Sequence, residues 1–277
     1  MTIRPLRSVL YVPADKPRAM EKAAGLDADA IILDLEDAVA PEAKDGARDA
    51  LAGALERDWG RKLRLLRVNG ADTGWHVADM EMARRLCPDA VLLPKVGSAG
   101  AVALAADALP EGVAVWAMIE TPAGVLAAPG IAAAPRMGGL VMGTNDLAKE
   151  ARTQGRAALA YALQRTVLAA RAAGIAAIDG VCNAFRDEDA LAAECAEGRA
   201  LGFDGKSLIH PSQIAAANAA FGPSAEEIDL AGRQIAAFEA AEAEGRGIAV
   251  LDGRIVENLH VAEARRVMAM AEAVGAR

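Results

Sequence analysis

The residues of this 277-residue chain best equipped for chemistry stand where short apolar runs end. AIIL leads into Asp34-Leu35-Glu36-Asp37, LRLL into Arg67 and Asn69, AVLLP into Lys95, and VAVWAMI into Glu120-Thr121. LVM leads into Gly143-Thr144-Asn145-Asp146, AAI into Asp179, and the run Gly205–Ile209 into His210. Carboxylates brought to one mouth of low dielectric repel one another, and either a bound cation or neighbouring Arg and Lys offsets that repulsion. Both remedies are present. Glu120 and Asp146 follow successive runs, so their oxygens can meet on one face, and two carboxylates completed by waters and substrate oxygens suit Mg²⁺. No His or Cys cluster favours zinc. Plainer roles stay open: each acid can cap a helix or pair with a base, and Arg67 can be a structural arginine neutralising Glu36. Arg7 and Lys95 stand where a phosphate or thioester can be held, or serve as ion-pair partners. His76, His210 and His260 read as packing, capping or surface residues.

These positions acquire a common end only if the runs are parallel strands, and the pattern supports that. Expected strands are Arg7–Val12, Ala30–Leu35, Leu63–Asn69, Ala90–Val96, Val113–Ile119, Leu140–Gly143, Ala176–Asp179 and Gly205–Ile209. Helical stretches follow at Lys16–Ala24, Pro41–Leu55, Val77–Leu86 and Ala99–Ala108. After the fifth strand comes an Ala-rich stretch, after the sixth a loop and a helix over Ala157–Ala173, then helices at Asp187–Leu201 and Pro211–Ala219. Helical crossovers make successive strands parallel, and near-continuous apolar strands fit a sheet covered on both faces. Eight units close into a (β/α)8 TIM barrel, whose chemistry lies at the C-terminal strand ends. No G-x-G-x-x-G follows the first strand, against an open dinucleotide-binding sheet.

The rhythm breaks near residue 222, which places the barrel at 1–221 and a small α–β–α extension at 222–277. Ser224 is expected to cap a helix over Ser224–Gly245, Asp252-Gly253 to turn a hairpin within Gly247–Val256, and Glu263–Val274 to form a last helix. So small an appendage must pack on its own barrel or reach a neighbouring subunit. The composition agrees with an α/β protein: 53% hydrophobic residues, only 3% aromatic, and a net charge of −8 with no basic face for nucleic acid. The three cysteines, Cys87, Cys182 and Cys195, lie far apart, as reduced thiols of a cytoplasmic protein do. No apolar run reaches the ~18 residues that span a membrane.

Taken in order, RSVLYVP (7–13), LDLEDAVAPEAKDGAR (33–48), LRVN (66–69), LLPKV (92–96), MIET (118–121), GTNDLAKE (143–150), AIDGV (177–181) and GFDGKSLIHPSQI (202–214) resemble the citrate lyase β-subunit family, a branch of the HpcH/HpaI aldolase superfamily. The resemblance covers essentially the whole chain. It implies a TIM barrel with a C-terminal extension, a homotrimer, Mg²⁺ (with Mn²⁺ as the substitute) on Glu120 and Asp146, and Arg67 on the substrate carboxylate or carbonyl. It places Glu36 and Asp37 around the metal site and Arg67. Related pyruvate aldolases carry a histidine at the end of strand two in a GEH-like motif. Asp37 stands there instead, which favours the CoA-ester lyase branch. Relatives of the malyl- and citramalyl-CoA type carry an acid/base aspartate in a C-terminal M-[IV]-D-x-P motif that enters a neighbour's site. Glu257 takes its place here, and Leu259 replaces the proline.

The resemblance therefore implies a Mg²⁺-dependent carbon–carbon lyase acting on a 3-hydroxyacyl-CoA of the malyl-, citramalyl- or citryl-CoA kind, with CoA entering as part of the substrate and an α-keto acid as co-product. In that scheme backbone N–H groups of Gly143, Thr144 and Asn145 help hold the developing negative charge, and Glu257 handles the proton on the enolate carbon. The alternatives are an aldolase on free hydroxy-keto acids, a malyl-CoA thioesterase, and a lyase subunit acting on a citryl carrier.

Overall fold

The computed structural model of the chain describes residues 4–275. Eight parallel strands close into a barrel in sequential order, β1 pairing with both β2 and β8. They are β1 (Ser8–Pro13), β2 (Ala30–Asp34), β3 (Leu63–Arg67), β4 (Ala90–Leu93), β5 (Ala114–Ile119), β6 (Met137–Met142), β7 (Ala176–Asp179) and β8 (Gly205–Leu208). The helices between them are α1 (Pro17–Ala24), α2 (Lys44–Leu55), α3 (His76–Leu86), α4 (Ala99–Ala108), α5 (Pro122–Ala132), α6 (Thr144–Ala151), α7 (Ala160–Ala173) and α8 (Glu188–Leu201), with α9 (Ile214–Phe221) after β8. This is the (β/α)8 TIM barrel expected from the sequence.

The strands are short and buried on both faces because each is sandwiched between the barrel interior and the helix ring. Val9, Ile32, Leu65, Leu92, Met118, Val141 and Ile178 fill the interior together with Trp116. Trp116 explains the glycines of β6: it pairs with Gly139, where a Cβ would lie 2.6 Å from its ring. A large ring on one strand is accommodated by the missing side chain on the next, and interior density is kept.

Two expectations about the strand ends are corrected. The fourth strand ends at Leu93, not Val96, because Pro94 has no N–H for the ladder and Lys95 turns into the left-handed region at φ +52°. The stretch after β6 is a helix, α6, rather than a loop. The turn-like Gly-Thr-Asn-Asp hides a helix start whose first turn contains Asp146 and whose last contains Lys149, each of the sign the helix dipole favours.

By their internal contacts the described residues divide into two compact units, Leu6–Asn218 and a second that runs from Ala219 to Gly275 and includes Arg4 and Pro5. The second unit holds α10 (Ala225–Ala243), the antiparallel hairpin β9 (Ala249–Leu251) and β10 (Arg254–Val256), and α11 (Asn258–Gly275). Ser224 caps α10 in a reciprocal box with Glu227. Phe238, Ala241, Ala249, Val256 and Val261 form its core. The last helix starts five residues earlier than the sequence suggests. The described residues contain no helix long and apolar enough to cross a membrane.

Candidate active site

Arg67 ends β3 directly beside Asp34, the last residue of β2, since the two are register partners. Asp34 receives the guanidinium on both oxygens, from Nε at 2.7 Å and Nη2 at 2.6 Å. Both side chains are buried, and a bidentate carboxylate is the strongest hold available on an arginine. The same Asp34 accepts the backbone N–H groups of Glu36 (2.8 Å) and Ala38 (3.2 Å), which shapes the loop after β2. The remaining terminal nitrogen, Nη1, faces Glu36 Oε2 at 2.9 Å, Asp37 at 3.7 Å and the Met118 sulfur at 3.6 Å. The Tyr11 ring centroid lies 4.8 Å from the guanidinium carbon, a cation–π contact.

Glu120 follows β5. Its Oε1 accepts the backbone N–H of Lys95 at 2.7 Å. Its other oxygen lies against Gly143, where any Cβ would collide with the carboxylate. Asp146, in the first turn of α6, is partly exposed and 3.9 Å from the Lys95 ammonium, which also stands 3.7 Å from Glu36. Lys95 thus spans two acids while its backbone holds a third.

These groups border two adjoining hollows that share Asp37. One, of about 290 Å³, is lined by Tyr11, Asp34, Arg67, Met118, Glu120 and the turn Gly143–Asp146. The other, of about 310 Å³, is lined by Glu36, Lys44, Asn69, Trp75 and Lys95. A larger, mainly apolar groove of about 700 Å³ opens alongside, with walls from Val77, Met80, Leu93, Leu104 and Ala105. The chemistry-bearing groups converge in the smaller pair.

Burial pushes Glu36 up to about 8, opposed by Arg67 and reinforced by Asp37 and Glu120. Glu36 Oε2 is buried and, although within ion-pair range of Arg67, is hydrogen-bonded by nothing. Burial likewise raises Glu120 to about 7, with the Lys95 N–H and Arg67 pulling down and Asp146 pushing up. Burial, more than the neighbouring acids, disfavours the ionised form of both carboxylates. Among the described residues no three His, Cys, Asp or Glu side chains form a ready-made metal cage. The Glu120 and Asp146 carboxylates could hold a cation whose remaining ligands come from water or substrate.

The structure thus brings together Glu36, Asp37, Arg67, Lys95, Glu120, Gly143, Thr144, Asn145 and Asp146. It does not bring Arg7. That residue precedes β1, at the N-terminal end of the barrel, and is buried on Asp29 through Nε (2.9 Å) and Nη2 (2.9 Å). Arg7 is an internal ion-pair partner, and the expectation that it holds a phosphate or thioester is corrected. The Gly143 N–H is also withdrawn from the expected anion-binding set, because it extends the ladder to Ile119 O at 3.2 Å. The first-turn N–H groups of Thr144 and Asn145, which helical geometry leaves without intrahelical partners, remain. The Asn145 and Asn183 amides bond each other reciprocally, at 2.7 and 3.2 Å, and tie the start of α6 to the loop after β7. Glu257 lies in the second compact unit, exposed before α11, its N–H donating to His260 Nδ1 at 3.0 Å.

Asp34 and Tyr11 take part in the site without having been assigned to it from sequence. Asp34 had a detectable signal, because β2 and β3 aligned from their apolar runs put it opposite Arg67. Tyr11 had none, since an aromatic inside a strand reads as core.

The HpcH/HpaI aldolase/citrate lyase family model matches residues 7–211. A (3S)-malyl-CoA thioesterase of Cereibacter sphaeroides is 56% identical over 98% of this chain and 96% of its own. An L-malyl-CoA/beta-methylmalyl-CoA lyase of the same organism is 34% identical over 99% of this chain and 96% of its own. Among solved structures, the protein CitE of Mycobacterium tuberculosis in complex with magnesium, acetoacetate and coenzyme A is 32% identical, with a TM-score of 0.80 over 98% of both chains.

Proposed function

The chain belongs to the HpcH/HpaI aldolase/citrate lyase family and is an enzyme of that superfamily, and on that premise we propose that it hydrolyses the thioester of a malyl-CoA-class substrate. The observation that carries the reading is Glu36, a buried carboxylate raised to about 8, with one oxygen unbonded beside Arg67. Such a group can take a proton near neutrality, as a general base requires. Hydrolysis over carbon–carbon cleavage is supported by the 56% identity to the thioesterase, against 34% to the lyase. This reverses the order in which the sequence ranked the two reactions.

The donor set fits a divalent cation. Glu120 and Asp146 offer hard carboxylate oxygens at one mouth, the donors that Mg²⁺ prefers. We assign Mg²⁺ to Glu120 and Asp146; bound there, it supplies electrophilic polarisation of a substrate oxygen. Arg67, locked by Asp34, turns Nη1 toward the substrate's free carboxylate. Glu36 takes the proton of the water that attacks the thioester carbonyl carbon. The carbonyl oxygen, as its charge develops, meets the N–H groups of Thr144 and Asn145 at the start of α6. The carbon–sulfur bond then breaks, and the CoA thiolate leaves and receives the proton. The products are the free hydroxy diacid and CoA. Lys95 holds Glu36 and Asp146 in one field.

The lyase reading is kept as a second proposal because a carboxylate, Glu257, stands where malyl- and citramalyl-CoA lyase relatives carry their acid/base. One experiment separates the two: malyl-CoA is supplied with Mg²⁺ or with chelator, and free thiol, α-keto acid and acyl-CoA are measured together. Free thiol without keto acid is expected, lost with chelator. Keto acid and acyl-CoA in equal amounts, without free thiol, overturn the hydrolytic reading.

A further inference from the structure

Lys44 breaks a local rule. It opens α2 directly after the single turn Pro41–Ala43, where a lysine ordinarily faces water, yet the residue is only 4% exposed. A sequence that departs from local preference at a buried position is a place to look for function. The Lys44 ammonium donates to Leu35 O at 2.8 Å, Glu36 O at 2.9 Å and Asn69 Oδ1 at 2.7 Å. Those are all the donors a lysine has. The Trp75 ring lies 5.0 Å away and covers the remaining side.

The acceptors are not arbitrary. β2 ends at Asp34, so the carbonyls of Leu35 and Glu36 have left the barrel ladder; Leu35 O accepts Asn69 Nδ2 at 3.0 Å and Glu36 O the Val39 N–H at 3.1 Å, and among the described residues Lys44 alone bonds both. Asp34 fixes one side of this segment by accepting the Glu36 N–H. Lys44 fixes the other by gathering both carbonyls. Asn69 is itself anchored, its Nδ2 donating to Leu35 O and to Asp79, which is held in turn by Arg48. The result is a buried polar frame running from α2 and α3 to the backbone that carries the Glu36 side chain.

We infer that Lys44 is a positioning residue for Glu36: it is not in the reaction, but it sets where the Glu36 carboxylate stands relative to Arg67 and Lys95. The inference rests on the proposed role of Glu36.

The test has a structural and a kinetic arm. In a crystal structure of Lys44→Met, the loop 35–38 is expected to shift, and the 2.9 Å approach of Glu36 to Arg67 to be lost, while the Asp34–Arg67 pair survives. If Lys44→Met does not fold, Lys44→Arg retains the charge but cannot seat three donors on three convergent acceptors, and the same shift is expected. In malyl-CoA hydrolysis kcat is expected to fall about 10- to 100-fold with KM within about twofold, because a misplacement near 1 Å has that cost. Lys44→Met added to Glu36→Gln is expected to cause no further loss. An unmoved Glu36 in the variant structure overturns the proposal. So does a double variant whose losses multiply while Glu36→Gln alone is impaired, and in that case the role of Glu36 stands. Full activity in Glu36→Gln removes Glu36 from the reaction and the proposal with it.

Discussion

The backbone N–H of Lys95 donates to Glu120 Oε1 at 2.7 Å from a residue held at φ +52°. The left-handed turn aims the amide into the mouth, while the side chain reaches Glu36 and Asp146. Backbone and ammonium are thus separable by mutation. Lys95→Gly and Lys95→Ala both delete the ammonium and should lose activity equally, by about tenfold or ~1.4 kcal/mol of barrier. Glycine adopts this φ freely, so Lys95→Gly should be more stable to urea than Lys95→Ala by about 1 kcal/mol. Equal stability of the two would show that the turn is not strained.

Gly143 tests the seat of Glu120. A methyl at this position runs into the Glu120 carboxylate, and Glu120 is buried with its other oxygen fixed on Lys95. Gly143→Ala should cost about 1–3 kcal/mol of stability, as overpacking does, and weaken Mg²⁺ binding more than Asp146→Asn does. Titration calorimetry with Mg²⁺ on the three proteins decides it; unchanged affinity in Gly143→Ala would mean that Glu120 swings clear and is not a ligand.

Stability should depend on pH and metal together. Glu120 and Glu36 have folded values of about 7 and 8, above their ordinary 4.5. Between 4.5 and those values the folded protein binds more protons than the unfolded chain, so stability falls as pH rises through that window. The advantage is complete below 4.5 and gone above about 8, and is worth on the order of a few kcal/mol. A divalent cation on Glu120 and Asp146 needs the Glu120 carboxylate ionised and opposes the trend. Chelator-treated protein should lose Tm between about pH 6 and pH 8.5, and Mg²⁺ should raise Tm more at the upper value. An equal Mg²⁺ effect at both would sink the assignment.

The barrel was legible because eight short apolar runs alternate with helical stretches, a pattern that few topologies satisfy. The shared position of Glu120 and Asp146 at one mouth was legible for a related reason: each terminates or follows a run, and adjacent runs become adjacent strands. What escaped depended on contacts that the one-dimensional pattern does not encode. Arg7, read as the first residue of strand one and a candidate anion holder, precedes β1, and in a parallel barrel that is the opposite end from the chemistry. The segment Gly143–Asp146 reads as a turn because its residues favour turns and helix starts alike; only the buried Leu147 marks the helix. Lys44 sat inside a quoted motif with no role, since a lysine in a helical stretch ordinarily faces water.

Glu257 gives the sharpest division between the two proposed reactions. Carbon–carbon cleavage leaves an acyl-CoA enolate whose carbon must be protonated, the role that the proposed lyase reading gives to Glu257. Hydrolysis makes no enolate; it needs a base for water, which Glu36 provides, and a proton for the thiolate. Glu257→Ala should therefore leave free-thiol release within about threefold and abolish any keto acid that the wild type forms. Glu257→Asp shortens the side chain by one methylene, about 1.5 Å, a displacement large enough to change a rate by orders of magnitude. It restores the acid that malyl-CoA lyase relatives carry and should raise the ratio of keto acid to free thiol. Product ratios on malyl-CoA, by chromatography of acyl-CoA and thiol titration, measure both variants. Loss of hydrolysis and cleavage in the same proportion in Glu257→Ala would show that one acid serves both reactions and that Glu36 alone cannot activate water.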